Sequence, residues 1–383
     1  MTTSLRKKLI SVAGSAALVF GLASCGEAPP ADPGTDSTTG ATNTATNAPG
    51  GENADFKACM VSDEGGFDDK SFNEAGYNGL KKAESEFGIK VTTTESKNAN
   101  DYAANLDGLV ADNCNLIISV GFMLSAPTIE LAKNNPDVHF AIIDDRADNE
   151  PEGAPDGKPD SDNIKPMVFD TVGAAFLGGY AAASYSKSGK VATFGGGKIP
   201  PVTIFMDGFA QGVAYFNKEK GKDVQVLGWD VAKQDGLFTG SFEATDGAKQ
   251  VAQGLIDQGA DVLLPVGGPI YQSAAQAIRD SKEDIVLLGV DSDVAISDPT
   301  VSDLMLVSIQ KGIEVAVHEA VASAVSGSYD TSLYIGTLEN GGVLLGEFHD
   351  FDSKIDPALK GELETVKAGL IDGSIEATSV SSP

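Results

Sequence analysis

Short apolar runs alternate with longer stretches of helical periodicity along most of the chain. Apolar runs stand at Phe56–Met60, Ile89–Thr93, Leu116–Val120, His139–Ile143 and Met167–Phe169. A second series stands at Val191–Phe194, Val224–Gly228, Val262–Pro265, Ile285–Gly289 and Leu304–Ile309. Between them apolar residues recur at three- to four-residue spacing over Ala103–Asp112, Ala126–Lys133, Gly173–Tyr185, Met206–Asn217, Ala244–Gln258 and Tyr271–Arg279. Strands alternating with helices predict parallel sheets with crossover helices. Two series predict two similarly built α/β lobes, although no residue-level repeat links them. Arg146–Asn163, rich in Pro, Gly and Asp, reads as a long, mobile surface loop belonging to neither core. After Ile309 the pattern predicts a helix from Gly312 to about Val325. A hairpin of Leu333–Leu338 and Gly342–Glu347, turned by Asn340-Gly341, follows. A last helix runs from Pro357 to Ala368.

The first residues change the picture. Arg6, Lys7 and Lys8 precede an apolar run, Leu9–Leu22, that is too short to span a membrane and closes on Leu22-Ala23-Ser24-Cys25. This resembles a bacterial lipoprotein signal, in which Cys25 becomes the lipidated first residue of the mature chain. A plain secretory leader is the alternative. Residues 1–24 are then the leader. Residues 25–55, rich in Thr, Ala, Pro, Gly and Asn, form a disordered tether with little to bury. The folded part is expected at the extracytoplasmic face of the cell membrane, anchored through the lipid on Cys25. The net charge of -28 argues against nucleic acid as a partner. Besides Cys25 the cysteines are Cys59 and Cys114, each at or just before an apolar run. A flavodoxin-like strand order sets the first and third strands side by side. A disulfide, which persists outside the membrane, and two buried free thiols both remain open.

Catalytic sets are missing. His139, His318 and His349 lack metal-ligand spacing, and no Gly-x-Ser-x-Gly or Gly-x-Gly-x-x-Gly motif follows the first strand. Gly195-Gly196-Gly197-Lys198 continues into Ile199-Pro200-Pro201 where a phosphate loop needs Ser or Thr and a helix, so it reads as a glycine turn. Asp291-Ser292-Asp293 lacks the glycine and the final glutamate of a calcium loop. No metal or cofactor is expected.

Val61–Asn73 carries the most chemistry. It is an acidic, glycine-bearing loop between a strand and a helix start, where open α/β sheets place ligands. Ser71 and Glu74 have capping-box spacing. Asp63, Asp68 and Asp69 offer acceptors, and Phe67 and Phe72 offer flat apolar faces. An ordinary acidic turn with two core phenylalanines fits the same residues.

These motifs resemble those of the basic membrane protein family of lipoproteins, the purine-nucleoside-binding receptors of ABC importers. Beyond Asp63–Asn73, the resemblance rests on Ser119-Val120-Gly121-Phe122, Phe140–Asp144, Gly196–Gly212 and Gly240-Ser241-Phe242. It continues through Pro265–Gly268, Gly289–Asp293 and Ser308–Lys311. It implies a type I periplasmic-binding-protein fold: two doubly wound parallel-sheet lobes with a hinge and central cleft. The expected N-terminal lobe is 56–168 plus about 296–330. The C-terminal lobe is 169–295 plus about 331–383.

Carried over, Phe72 and Phe242 (with Phe238 in reserve) stack on the purine. Asp63 and Asp144, or its neighbour Asp145, accept from base or ribose. Asp291, or Asp293, takes the ribose hydroxyls, Lys311 donates to ribose oxygens, and the backbone at Gly268 approaches the ligand. Asn73 either contacts ligand or only caps the helix, and Lys311 read alone also fits a solvated position. The implied partners of this monomer are a nucleoside of the inosine, guanosine and adenosine class and an ABC permease with its ATPase. A sugar or signal-molecule receptor on the same fold is the alternative. A nucleoside-cleaving enzyme fits less well, because Asp63 and Asp68-Asp69 lack the spacing of its metal-binding carboxylates.

Overall fold

The computed structural model describes residues 53–149 and 156–383. The leader, Cys25 and nearly all of the tether lie outside the described residues. The chain begins with β1 (Lys57–Ser62), α1 (Phe72–Phe87), β2 (Lys90–Glu95), α2 (Tyr102–Ala111), β3 (Leu116–Val120), α3 (Ser125–Asn134), β4 (His139–Ile143) and β5 (Ile164–Phe169). It continues with α4 (Val172–Tyr185), β6 (Lys190–Gly195), α5 (Pro200–Lys220), β7 (Gln225–Leu227), β8 (Trp229–Asp230), β9 (Asp235–Gly236), α6 (Asp246–Ile256), β10 (Val262–Val266), α7 (Ile270–Ser281) and β11 (Val286–Asp291). Last come α8 (Val294–Ser297), β12 (Met305–Lys311), α9 (Ile313–Val325), β13 (Tyr334–Gly336), β14 (Val343–Leu345) and α10 (Leu359–Asp372).

Two six-stranded sheets result, in the orders β13-β5-β4-β3-β1-β2 and β14-β12-β11-β10-β6-β7. All pairings within them are parallel except β14 on β12. Every residue of β3, β5 and β11 is buried, as expected of strands covered on both faces, even Lys165 in β5 and Asp291 at the end of β11. Edge strand β2, Lys-Val-Thr-Thr-Thr-Glu, is only partly covered. Because β1 neighbours β3, Cys59 and Cys114 come to a Cα separation of 5.9 Å and are joined as a disulfide.

The chain passes between the sheets after β5, after β12 and after β13. The lobe limits drawn from the sequence change accordingly. β12 pairs with β11 inside the second sheet, so residues 296–311 belong to the second lobe, not the first. The first lobe instead takes α9, which lies against α1, and β13. The expected hairpin does not form. Its turn is present, with Asn340 Oδ1 accepting from Thr337 N (2.8 Å) and Gly342 N (2.9 Å). Its two arms, however, each extend a different sheet. Turn chemistry dictates a reversal of direction and says nothing about which edge each arm will join.

The described ends of the 146–163 stretch are also tied down, contrary to a loop free of both cores. Ala147 is fully buried, Asp160 N donates to Ala147 O (2.7 Å), and Asn163 Nδ2 donates to three carbonyls around the end of α3. Residues 150–155 lie outside the described residues.

Candidate functional site

Residues from both lobes line one cavity. The first wall begins at Asp63, directly after β1. Its Oδ1 accepts from Asn73 Nδ2 (3.0 Å), and the Asn73 amide donates also to Glu64 O (3.2 Å) and Asp69 Oδ2 (3.2 Å). The Asn73 Oδ1 is left buried without a partner among the described residues. Burial pushes the Asp63 carboxyl well above its ordinary range, with the Asn73 amide opposing. Gly121, at φ +119°, lies so close that a Cβ there would overlap the Asp63 carboxylate.

Asp69 caps α1. Its Oδ1 accepts from Ser71 N (2.9 Å) and Glu74 N (3.0 Å), and its Oδ2 accepts from Asn73 N (2.9 Å). The Ser71–Glu74 capping box expected from spacing is therefore not formed. Asp69 reaches the free N–H groups first, and the Ser71 hydroxyl donates instead to Val290 O (2.9 Å) in the second lobe.

The opposite wall is Phe242. Its ring lies over Gly196 and Gly267, where an added Cβ would fall 2.5 and 2.7 Å from ring carbons, and Gly267 has φ +132°. The glycine run after β6 is thus the bed of an aromatic ring. Phe238 packs edge-on against Trp229 (centroids 6.1 Å apart, planes at 85°) and does not line the cavity. The first turns of α5 add Pro201, Val202 and Phe205.

Lys311, the last residue of β12, is held between the lobes. Its Nζ lies 2.6 Å from Asp144 Oδ2 and 3.3 Å from Asp291 Oδ1, and the three side chains are 3, 7 and 6% exposed. The rings of Phe72, Phe205 and Phe169 surround the ammonium at 5.2, 5.3 and 5.8 Å. Burial opposes its charge, yet the two carboxylates outweigh burial and raise its pKa. Burial pushes Asp144 up to about 6 even with the ammonium against it. Asp291 Oδ1 sits within ion-pair range of Lys311 but has no hydrogen-bond partner of proper geometry among the described residues.

Asp63, Phe72, Asn73, Asp144, Phe242, Gly268, Asp291 and Lys311 therefore meet at one cavity. Asp145 and Asp293 do not. Asp145 Oδ1 accepts from Ser125 Oγ (2.5 Å) and Ala147 N (2.7 Å), and Asp293 Oδ2 lies 2.8 Å from His349 Nε2. Lys311 is buried, not solvated. Glu64, Phe122, Pro201, Val202 and Phe205 also line the cavity, and the sequence motifs assign them no ligand contact. The structure corrects the reading of Ile199-Pro200-Pro201 as a place without a helix: α5 starts at Pro200, six residues before Met206, and proline in a first helical turn is the signal that marks it.

Residues 56–367 match the family described as ABC transporter substrate-binding protein PnrA-like. The ABC transporter nucleoside-binding protein BmpA of Lactococcus lactis is 28% identical over 342 residues, covering 85% of this chain and 90% of the relative. Basic membrane protein A1 of Borrelia garinii is 32% identical over 243 residues, covering 63% of this chain and 66% of that relative. Among solved structures, an ABC transporter solute-binding protein from Aeropyrum pernix superposes with a TM-score of 0.72 at 22% identity, covering 85% and 93% of the two chains. That likeness bears on the fold, which is the two-lobed α/β fold of type I periplasmic binding proteins. The chain belongs to the PnrA-like family of ABC transporter substrate-binding proteins, whose members bind solutes and are not enzymes.

Proposed function

We propose that this chain captures a purine nucleoside between its lobes and delivers it to the permease of an ABC importer. It does so from the extracytoplasmic face of the cell membrane, anchored by a lipid on Cys25. One observation carries the reading: each lobe supplies a phenylalanine, Phe72 and Phe242, to a cavity rimmed by buried acceptors with no hydrogen-bond partner among the described residues, Asn73 Oδ1 and, in ion-pair range of Lys311, Asp291 Oδ1. Flat rings suit a base, and unpartnered acceptors suit the donors of a base edge and a ribose. On this reading Phe72 and Phe242 stack on the base, and Asp63 and Asp144 accept from base or ribose. Asp291 takes the ribose hydroxyls, Lys311 donates to ribose oxygens, and the Gly268 backbone packs close. The relative named as a nucleoside-binding protein supports the same class.

The test is calorimetry and thermal shift with inosine, guanosine, adenosine, ribose and hexoses. Nucleosides at about 100 times their Kd stabilise the folded state by about 2.7 kcal/mol through linkage. A shift with free sugars alone overturns the proposal in favour of a sugar receptor.

A further inference from the structure

We propose that the hydroxyls of Ser71, Ser292 and Ser297 form a latch between the lobes that sets how long a bound ligand stays, without touching it. The inference rests on ligand capture between the lobes, as proposed above, but not on the identity of the ligand. Ser71 Oγ donates to Val290 O (2.9 Å), and Ser292 Oγ donates back to Ser71 O (2.8 Å). From α8, Ser297 Oγ donates to Lys70 O (2.5 Å). Ser71 and Lys70 belong to the first lobe; Val290, Ser292 and Ser297 belong to the second.

The local backbone is arranged for this exchange. Lys70 (φ +59°) and Asp291 (φ +68°) both adopt the left-handed conformation. The conformation is unfavourable for a long side chain such as Lys70 and better tolerated by the short, polar Asp291. These two turns present the carbonyls of residues 70, 71 and 290 to hydroxyls of the facing lobe. Asp69 caps α1, which releases the Ser71 hydroxyl from that duty. The seam also stands one residue behind the cavity wall on each side. Phe72 follows Ser71, and Asp291 lies between Val290 and Ser292. Rotation of the sheets about their crossings separates these partners and draws Phe72 away from Asp291.

Closure of two-lobed binding proteins is a hinge motion, and ligand dissociates from the open form. Each hydroxyl finds water in the open form, so its net worth is that of an ordinary hydrogen bond, about 2- to 10-fold in the closing equilibrium. Three together hold the closed form by one to three orders of magnitude. The serines are positioning residues, since none lines the cavity.

The decisive experiment uses Ser297→Ala, Ser292→Ala and the triple Ser71→Ala/Ser292→Ala/Ser297→Ala, each carrying one dye per lobe. Single-molecule energy transfer on ligand-free protein is expected to show a larger open population in each variant. Stopped-flow dissociation of inosine is expected to accelerate about 10-fold or more in the triple variant, with association within about twofold. Unchanged interlobe distances and dissociation beside a lowered melting temperature would overturn the latch and make these bonds part of a fixed seam. Ser297 is only partly buried, so its variant keeps the test available if the triple does not fold. The ligand-free measurement stands even if inosine does not bind, which separates failure of the latch from failure of the nucleoside reading.

Discussion

Asp144 and Asp291 occupy equivalent places in the two lobes, one directly after β4 and one at the end of β11, with backbone φ of +67° and +68°. Both strands lie third in their sheets, and both carboxylates approach the same ammonium, Lys311. The correspondence extends to Gly121 after β3 (φ +119°) and Gly267 after β10 (φ +132°). Aspartate tolerates the left-handed turn better than most side chains because it is short and polar. The cavity wall is thus built twice, around one cation.

Removing that cation is expected to be costly. Lys311→Met leaves two buried carboxylates facing each other and should destabilise the protein by about 3–5 kcal/mol. Lys311→Met/Asp144→Asn should recover part of the loss. Urea unfolding of the three proteins checks this; a single variant within about 1 kcal/mol of wild type contradicts the pairing.

Asp144 should also make stability depend on pH. Its carboxyl is raised from 3.8 to about 6 by burial, so the folded state holds this proton more tightly than the unfolded chain does. Its contribution is therefore most favourable below about pH 4, falls as pH rises from about 4 to 6, and is constant above. Two pH units correspond to about 3 kcal/mol. Urea unfolding of wild type and Asp144→Asn between pH 4.5 and 7.5 reads it as a difference in which the burial that raises Asp63 and Asp69 cancels; Asp144 adds only the last of the contributions that raise Asp63. The wild-type stability relative to the variant should drop across that window; a constant difference rules the shift out.

Phe242 and Phe238 should separate binding from packing. Phe242→Ala is expected to weaken nucleoside binding by about 1–3 kcal/mol. Phe238→Ala, which removes the ring packed on Trp229, should lower the melting temperature and leave the affinity nearly unchanged. Titration calorimetry and thermal melts distinguish the two, and equal affinity loss in both would remove the special place given to Phe242.

The disulfide should act on the first lobe alone. Reduction, or Cys59→Ala/Cys114→Ala, releases a link spanning 55 residues of chain. The expected cost is about 2–4 kcal/mol. Protection of β1 and β3 amides in hydrogen exchange should fall while that of β10 and β11 holds. Equal loss in both sheets would show that the lobes unfold as one unit.

Strands β3 and β4 were legible to the residue because central parallel strands are unbroken apolar runs, and backbone pairing does the rest. The choice of Asp144 over Asp145 and of Asp291 over Asp293 was not. Two nearby carboxylates at a strand end are chemically alike, and only the left-handed turn decides which one enters the cavity. Spacing points to Ser71 as the cap on α1 for a related reason: Asp69 competes for the same N–H groups from two residues earlier, and spacing alone does not rank competitors. The partners of β13 and β14 depend on which sheet edges stand open after the rest has folded, a property of the whole molecule.

The late return of the chain to the first lobe governs the order in which this protein can be made. The face of α1 waits for α9, the first sheet waits for β13, and the second waits for β14. Contacts between residues so far apart in sequence close slowly. A ribosome that has released only the first three hundred residues therefore holds two unfinished sheets with exposed apolar faces. Under the extracytoplasmic placement proposed above, that delay would keep the polypeptide threadable until its last strands have emerged.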